Sequence, residues 1–288
     1  MDNSNTNEKE EYLFKATTKD GYTFKVLSEL LKNKIKNCIF MFDPKGIFIK
    51  AADTKTKTLI KIKIYGGKFL TYKCKDQHSV GLNMMHLQKI LKSIKKKDSL
   101  SMFIVKNNAG YILMNPLRID SSAKTNNMLK IINIPFEDYS IPLGYKEDND
   151  ITLSSKDFQK VIKDLNSSSS KLVTISSKGD GLLRFYSSCG EMYCTDCTLG
   201  EKNDEYSGTG EIEYQQTFNS IDFSQLSKVS GLSNIIKFNY GDKKLPLKIV
   251  LCLSNNLVKL ELYIKSNESL ENEETSSIET NVSFEEER

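Results

Sequence analysis

Lysines at helical spacing are the residues of this chain whose types and positions could act together. In the stretch from Asn83 to Lys97, Leu87, Ile90, Leu91 and Ile94 share one side at helical pitch, and Lys89, Lys92 and Lys96 take the other. The spacing predicts one helix over the whole stretch, with an apolar back and a front of ammonium groups suited to anions. A single such face is ordinary surface solvation; recurrence gives it weight. Lys25 and Lys32 ride on a segment that opens at Gly21 and is backed by Phe24, Leu27, Leu31 and Ile35. Lys160 and Lys163, with Lys156, front a segment backed by Phe158, Val161, Ile162 and Leu165. A fourth segment, FSQLSKVSGLS, has only Lys228.

Other chemistry finds little footing. The six cysteines are scattered, which predicts reduced thiols rather than a disulfide scaffold. Cys194 and Cys197 form a CxxC with Cys189 upstream, but EMYCTDCTL reads as a strand, which puts residues three apart on opposite faces. His78 and His86 are distant in sequence, so no metal site and no cofactor is expected. Without a phosphate-binding glycine loop or a catalytic cluster, an enzyme acting on nucleic acid is the least favoured class.

The elements that must position the lysines come in a repeated order. YLFKATT reads as a strand ahead of the first helix. CIFMFDPKGIFIKAAD reads as a hairpin about Pro-Lys-Gly, and TLIKIKIY alternates apolar and lysine residues as a half-buried strand does. FLTYKC and SVGL continue the sheet. LSMFIVK, GYILMNPL and MLKIINI come after the second helix. PFEDYSIPLGYKEDND then has no sustained period and reads as an exposed connector. Its Phe136, Ile141, Leu143 and Tyr145 are either pinned to the body or offered to partners.

Beyond Asp150 the pattern restarts: a strand, a helix, then LVTISSKGDGLLRFYSS as a second hairpin. Lys25 and Lys89 are 64 positions apart, and Lys160 and Lys228 are 68 apart. The chain therefore reads as an internal duplication of an α+β unit, each copy with two helices on antiparallel sheet. The expected boundaries are a disordered N-terminus at 1–11, a first domain at 12–134, a connector at 135–149, a second domain at 150–265 and an acidic disordered tail at 266–288.

The 288 residues have a net charge of +4, unevenly placed. The tail from Ser266 holds eight glutamates and one arginine, so the remaining body is distinctly basic and favours a polyanionic partner. Ammonium contacts to phosphates hold without reading sequence. The polar, acidic N-terminus is unlike a signal or transit peptide, and no apolar run approaches the roughly 18 residues of a membrane span. A soluble intracellular protein with no membrane partner is expected.

The order and spacing of GIFIKAAD, FLTYKC and VGLNMMHLQKILK, then of SKDFQKVIKDL, TFNSIDFSQLSK and LPLKI, resemble the sliding DNA clamps of the proliferating cell nuclear antigen (PCNA) type. The likeness covers roughly Leu13 to Lys265. It implies the DNA clamp fold, with three subunits closing into a homotrimeric ring around duplex DNA. It also implies a non-enzymatic processivity factor for DNA replication and DNA repair. Lys25, Lys32, Lys89, Lys92, Lys160, Lys163 and Lys228 match positions where the family faces the duplex, while Val26 replaces a further lysine. Subunit contacts would pair Asn127–Asn133 (Met128, Leu129, Lys130, Ile131) with Glu191–Thr198 (Met192, Tyr193, Cys194, Thr195).

Partners implied by the resemblance are a DNA polymerase, a clamp loader, and a nuclease or ligase using PCNA-interacting peptide motifs. Their pocket would involve Ala52, Leu59, Ile141, Pro142, Leu143, Pro246, Leu262, Tyr263 and Ile264. The implied location is the nucleus, or a cytoplasmic replication site for a virus-encoded member, and the basic body, extended N-terminus and acidic tail suit a viral or otherwise divergent origin. The alternative on the same fold is a subunit of a checkpoint-type heterotrimer or a viral transcription factor.

Overall fold

The computed structural model describes residues 11–53, 57–118, 125–146, 150–167, 170–202, 210–241 and 245–272. It divides into two compact units: the chain through Ile49 with Lys63–Glu137, and Lys50–Ile62 with the chain from Asp138 onward. The division between Glu137 and Asp138 falls within the connector expected at 135–149, and Lys50–Ile62 groups with the second unit.

The first unit begins with β1 (Tyr12–Thr18) and α1 (Gly21–Lys34), then β2 (Asn37–Asp43), β3 (Gly46–Ala52) and β4 (Thr58–Tyr65). After these come β5 (Thr71–Cys74), β6 (His78–Asn83), α2 (Met84–Leu91), β7 (Ser99–Val105), β8 (Tyr111–Leu117) and β9 (Met128–Lys130). One sheet has the order β5-β1-β7-β8-β9, and β4-β3-β2-β6 form another layer. Alternation buries every second residue of β2 and β4, and Phe14 meets Phe42 edge to face at 4.3 Å between ring centroids. Asp20 starts α1 by accepting from the Thr23 amide at 3.1 Å, and Phe24, Leu27 and Leu31 form its buried back.

The second unit contains β10 (Ile151–Ser154), α3 (Ser155–Ser167), β11 (Leu172–Ser177), β12 (Leu182–Cys189) and β13 (Tyr193–Gly200). It continues through β14 (Tyr214–Asn219), α4 (Ser220–Ser230), β15 (Ile235–Asn239), β16 (Leu247–Leu253) and β17 (Val258–Ile264). Its sheets run β13-β12-β11-β14 and β10-β15-β16-β17. Phe158, Phe185 and Phe238 are fully buried and pack pairwise at 5.6 to 6.4 Å.

The duplication shows in small devices as well as in strand order. Asn83 ends β6 and caps α2 through the His86 amide, and Asn219 ends β14 and caps α4 through the Ile221 amide. Beyond the last strand of each copy, the chain bonds to the edge of the sheet. The Ile132 amide donates to Gly81 on β6, and Glu268 accepts from the Thr217 amide on β14. Both bonds satisfy backbone groups that an edge strand would leave open.

Two expected spans end early. The lysine-rich helix stops at Leu91 rather than running to Lys97. Asp98 causes this: its carboxylate accepts from the Lys95 amide at 2.8 Å while its own amide donates to the Lys95 carbonyl at 3.1 Å, folding the chain into a turn. The tail expected to be disordered from Ser266 starts as folded chain, with Ser266 buried and its hydroxyl accepting from the Ser269 amide at the head of a helical turn at 267–272. The rest of that expectation, 273–288, and nearly all of 1–11 lie outside the described residues.

Candidate nucleic-acid interface

Each unit packs its two helices side by side. In the first, the Lys25 ammonium on α1 donates to the Ile94 carbonyl at 3.0 Å, just past the end of α2. In the second, Gln159 on α3 donates to the Ser227 carbonyl on α4 at 2.5 Å, and Ser224 bonds Asn166 at 2.7 Å. These bonds fix each helix pair as a platform whose apolar sides are buried and whose outer sides present lysine.

The lysines expected to meet DNA differ in what they touch. Lys32, Lys89, Lys92, Lys160 and Lys163 are exposed and make no ion pair among the described residues. Lys228 is exposed near the end of α4. Lys25 is half-buried and neutralises the carbonyl end of the turn after α2, so it is a structural cation before it is a surface one. Lys96 is exposed in the Asp98 turn and lies off the helix, contrary to its expected place on the α2 face.

The sheet lysines of the second unit are handled in the opposite way. Lys50 pairs with Asp138 at 2.6 Å, and Lys237 pairs with Asp150 at 3.4 Å. Lys61 and Lys259 bracket the buried carboxylate of Glu261 at 2.6 and 2.8 Å. Lys248 lies 5.1 Å from the centre of the Tyr145 ring. Burial alone would raise the Glu261 carboxyl, but the hydrogen bonds and charges of Lys259 and Lys61 hold it below its ordinary range. These sheet lysines of the second unit are therefore compensated, whereas Lys32, Lys89, Lys92, Lys160 and Lys163 of the helices are exposed with no ion pair among the described residues.

The connector is pinned to the second unit at both ends. Lys50 holds Asp138, the Tyr145 hydroxyl donates to the Pro246 carbonyl at 2.6 Å, and the buried Asn239 amide donates to the Lys146 carbonyl at 2.6 Å. Gly241 adopts a left-handed φ of 53°, and a Cβ there would stand 3.2 Å from the Tyr145 ring. Of the expected peptide-pocket residues, Ala52, Leu59, Ile141, Pro142 and Pro246 are half-buried, while Leu143 is 86% exposed. Leu262, Tyr263 and Ile264 correct the expectation. They are buried, because β17 is paired along its whole length with β16 inside the second unit and the Tyr145 ring covers Tyr263 at 5.7 Å.

The strands expected at subunit contacts are both edges. β9 ends the five-stranded sheet and β13 ends the four-stranded one. Met128 is 51% exposed, and Met192, in the turn before β13, is 95% exposed beside half-exposed Tyr193. Lys130 and Cys194 are exposed, and Ile131 and Thr195 are half-buried. Leu129 is the exception, because the alternation of β9 points it into the core. Cys194 and Cys197 lie on opposite faces of β13; burial, then the charges of Asp164 and Asp196, raises the Cys197 thiol and disfavours its thiolate.

Sequence reasoning noticed Tyr145 as an apolar residue in a polar segment but could not find its partner 101 positions away. It missed Asn239 and Glu268, because a polar side chain that serves a distant backbone group leaves no local pattern.

Two sheet-and-helix units with paired lysine-fronted helices and open edge strands define the architecture of a DNA clamp. Residues 13–139 match the family model described as proliferating cell nuclear antigen, N-terminal domain. The chain is 25% identical over 239 residues to the probable DNA polymerase sliding clamp 1 of Paramecium bursaria Chlorella virus 1, covering 82% of this chain and 90% of that protein. It is 29% identical over 176 residues to the proliferating cell nuclear antigen of Dictyostelium discoideum, covering 59% and 65%. The crystal structure of the Entamoeba histolytica proliferating cellular nuclear antigen superposes with a TM-score of 0.73 at 24% identity, covering 89% of this chain and 100% of that one. The chain is therefore similar to the PCNA-type sliding clamps, by family model over residues 13–139 and in fold over most of its length.

Proposed function

We propose that this chain is the subunit of a homotrimeric ring that encircles duplex DNA and acts, without catalysing a reaction itself, as a processivity factor for a DNA polymerase. The supporting observation is the contrast between the ion-paired sheet lysines Lys50, Lys61, Lys237 and Lys259 and the exposed Lys32, Lys89, Lys92, Lys160 and Lys163 of the helices, which have no ion pair among the described residues. Flexible ammonium groups meet phosphates without fixing a register, which suits a protein that must hold DNA and still slide.

Edges β9 and β13 are the surfaces for ring closure, one from each of two neighbouring copies. Met128 faces outward at one edge, and Met192 and Tyr193 do so at the other. Pairing them would extend both sheets and leave neither edge open. The half-buried surface around Ala52, Leu59, Ile141, Pro142 and Pro246, with exposed Leu143, is the place for a partner's peptide anchors. Polymerase, clamp loader, nuclease and ligase are the partner classes this reading implies. They act in the nucleus, or at a cytoplasmic replication site for a viral chain.

The test is charge reversal of Lys89, Lys92 and Lys160 together. Retention on closed circular DNA should fall, and the slope of affinity against salt should flatten by about 0.9 for each phosphate that is no longer neutralised. The mass of the assembly should not change. Unchanged retention would refute the helix faces as the DNA surface.

A further inference from the structure

The chain beyond β17 is anchored on the strand that leads into α4. Ser266 is buried, Leu270 closes a helical turn on it, and Glu268 accepts from the Thr217 amide at 3.1 and 3.2 Å. Thr217 lies on edge strand β14, two residues before Asn219, the cap of α4. The described chain therefore stops at Asn272, shortly after an anchor on the strand that leads into α4.

Beyond the anchor lie 16 residues, 273–288, with six glutamates and one arginine. At about 3.5 Å per residue such a segment spans at most roughly 55 Å, and as a flexible coil about 20 Å. The 13 residues of α3 rise through about 20 Å. On α3, which packs against α4, Lys156, Lys160 and Lys163 are exposed with no ion pair among the described residues, while the sheet lysines Lys50, Lys237, Lys61 and Lys259 already hold Asp138, Asp150 and Glu261. Charge complementarity therefore directs the segment to the helices.

We propose that residues 273–288 occupy the lysine face of α3 in the DNA-free protein and leave it when duplex binds, so that the acidic tail is an intramolecular competitor for the phosphate backbone. This rests on the reading of that face as a DNA surface. If the tail covers the face nine-tenths of the time, apparent affinity at low salt is reduced about tenfold, because only the uncovered fraction binds. Screening weakens tail and duplex contacts together, so the difference shrinks as salt rises.

The experiment compares the natural full-length chain with a full-length variant in which Glu273, Glu274, Glu279, Glu285, Glu286 and Glu287 are all replaced by glutamine. Glu268 and its anchor stay intact. A 30-base-pair duplex supplies the DNA readout, and carbodiimide crosslinking of the DNA-free natural protein, mapped by mass spectrometry, supplies a readout that needs no DNA. Expected are crosslinks from Lys156, Lys160 or Lys163 to tail glutamates, their loss when duplex is added, and a three- to tenfold gain in duplex affinity for the variant at low salt. Equal affinities, or tail crosslinks confined to sheet lysines, would overturn the proposal while leaving DNA binding in place. Persistent α3 crosslinks with no duplex binding by either protein would instead overturn the DNA reading, and with it the competitor role.

Discussion

The ammonium of Lys25 on α1 donates to the carbonyl of Ile94 at 3.0 Å, joining one lysine-bearing helix to the end of the other. A cation on a terminal carbonyl stabilises the turn that stops α2 and directs Lys89 and Lys92 outward. Replacing Lys25 by methionine keeps the stem and removes the donor. The variant should lose about 1 to 2 kcal/mol in chemical denaturation and lose less duplex affinity than a Lys89→Met variant. A larger affinity loss at Lys25, with stability unchanged, would make it a surface contact.

Glu261 gives the stability of the second unit a dependence on acid. Its carboxyl is held below the ordinary 4.5 in the folded chain, so it contributes stability above that pH, and the contribution is lost as pH falls through the folded value. Glu261→Gln should cost about 2 kcal/mol at pH 7. Denaturant midpoints measured down to pH 3 should converge with those of the natural chain, whereas a constant gap would remove the ionic explanation.

These two residues also mark what the sequence could and could not show. Strand β1, the two hairpins and the α1 and α3 cores follow from local periodicity, because alternation and helical pitch fix which side of an element is buried. Lys89, Lys92, Lys160 and Lys163 were readable for the same reason. The end of α2 was not, since the run Lys95–Lys97 has no breaker and the stop is imposed by Asp98. Nor were the buried Leu262, Tyr263 and Ile264. Part of their cover comes from the connector, far off in the chain.

Gly81 tests the edge closure of the first unit. A Cβ there would lie 2.1 Å from the Ile132 carbonyl oxygen and 2.9 Å from Ile134, and backbone cannot yield as a flexible side chain does. Gly81→Ala should destabilise by more than about 2 kcal/mol, seen as a lowered melting temperature. Gly110→Ala, at a site open within 4 Å, is the matched control and should change little.

Tyr145→Phe removes the hydroxyl that holds the connector to the Pro246 carbonyl. Global stability should move by about 1 kcal/mol or less. Amide exchange over 139–146 should quicken about fivefold, because opening there needs only that local bond to break. Quickened exchange spread equally over the β16 and β17 amides would show that the bond supports the whole unit instead.

Light scattering of the purified chain across the micromolar range tests the central claim most directly. Closure through the β9 and β13 edges predicts a particle of three times the 32.8 kDa chain mass, unchanged by charge reversal at Lys89, Lys92 and Lys160. A stable single-chain mass throughout that range would contradict the ring.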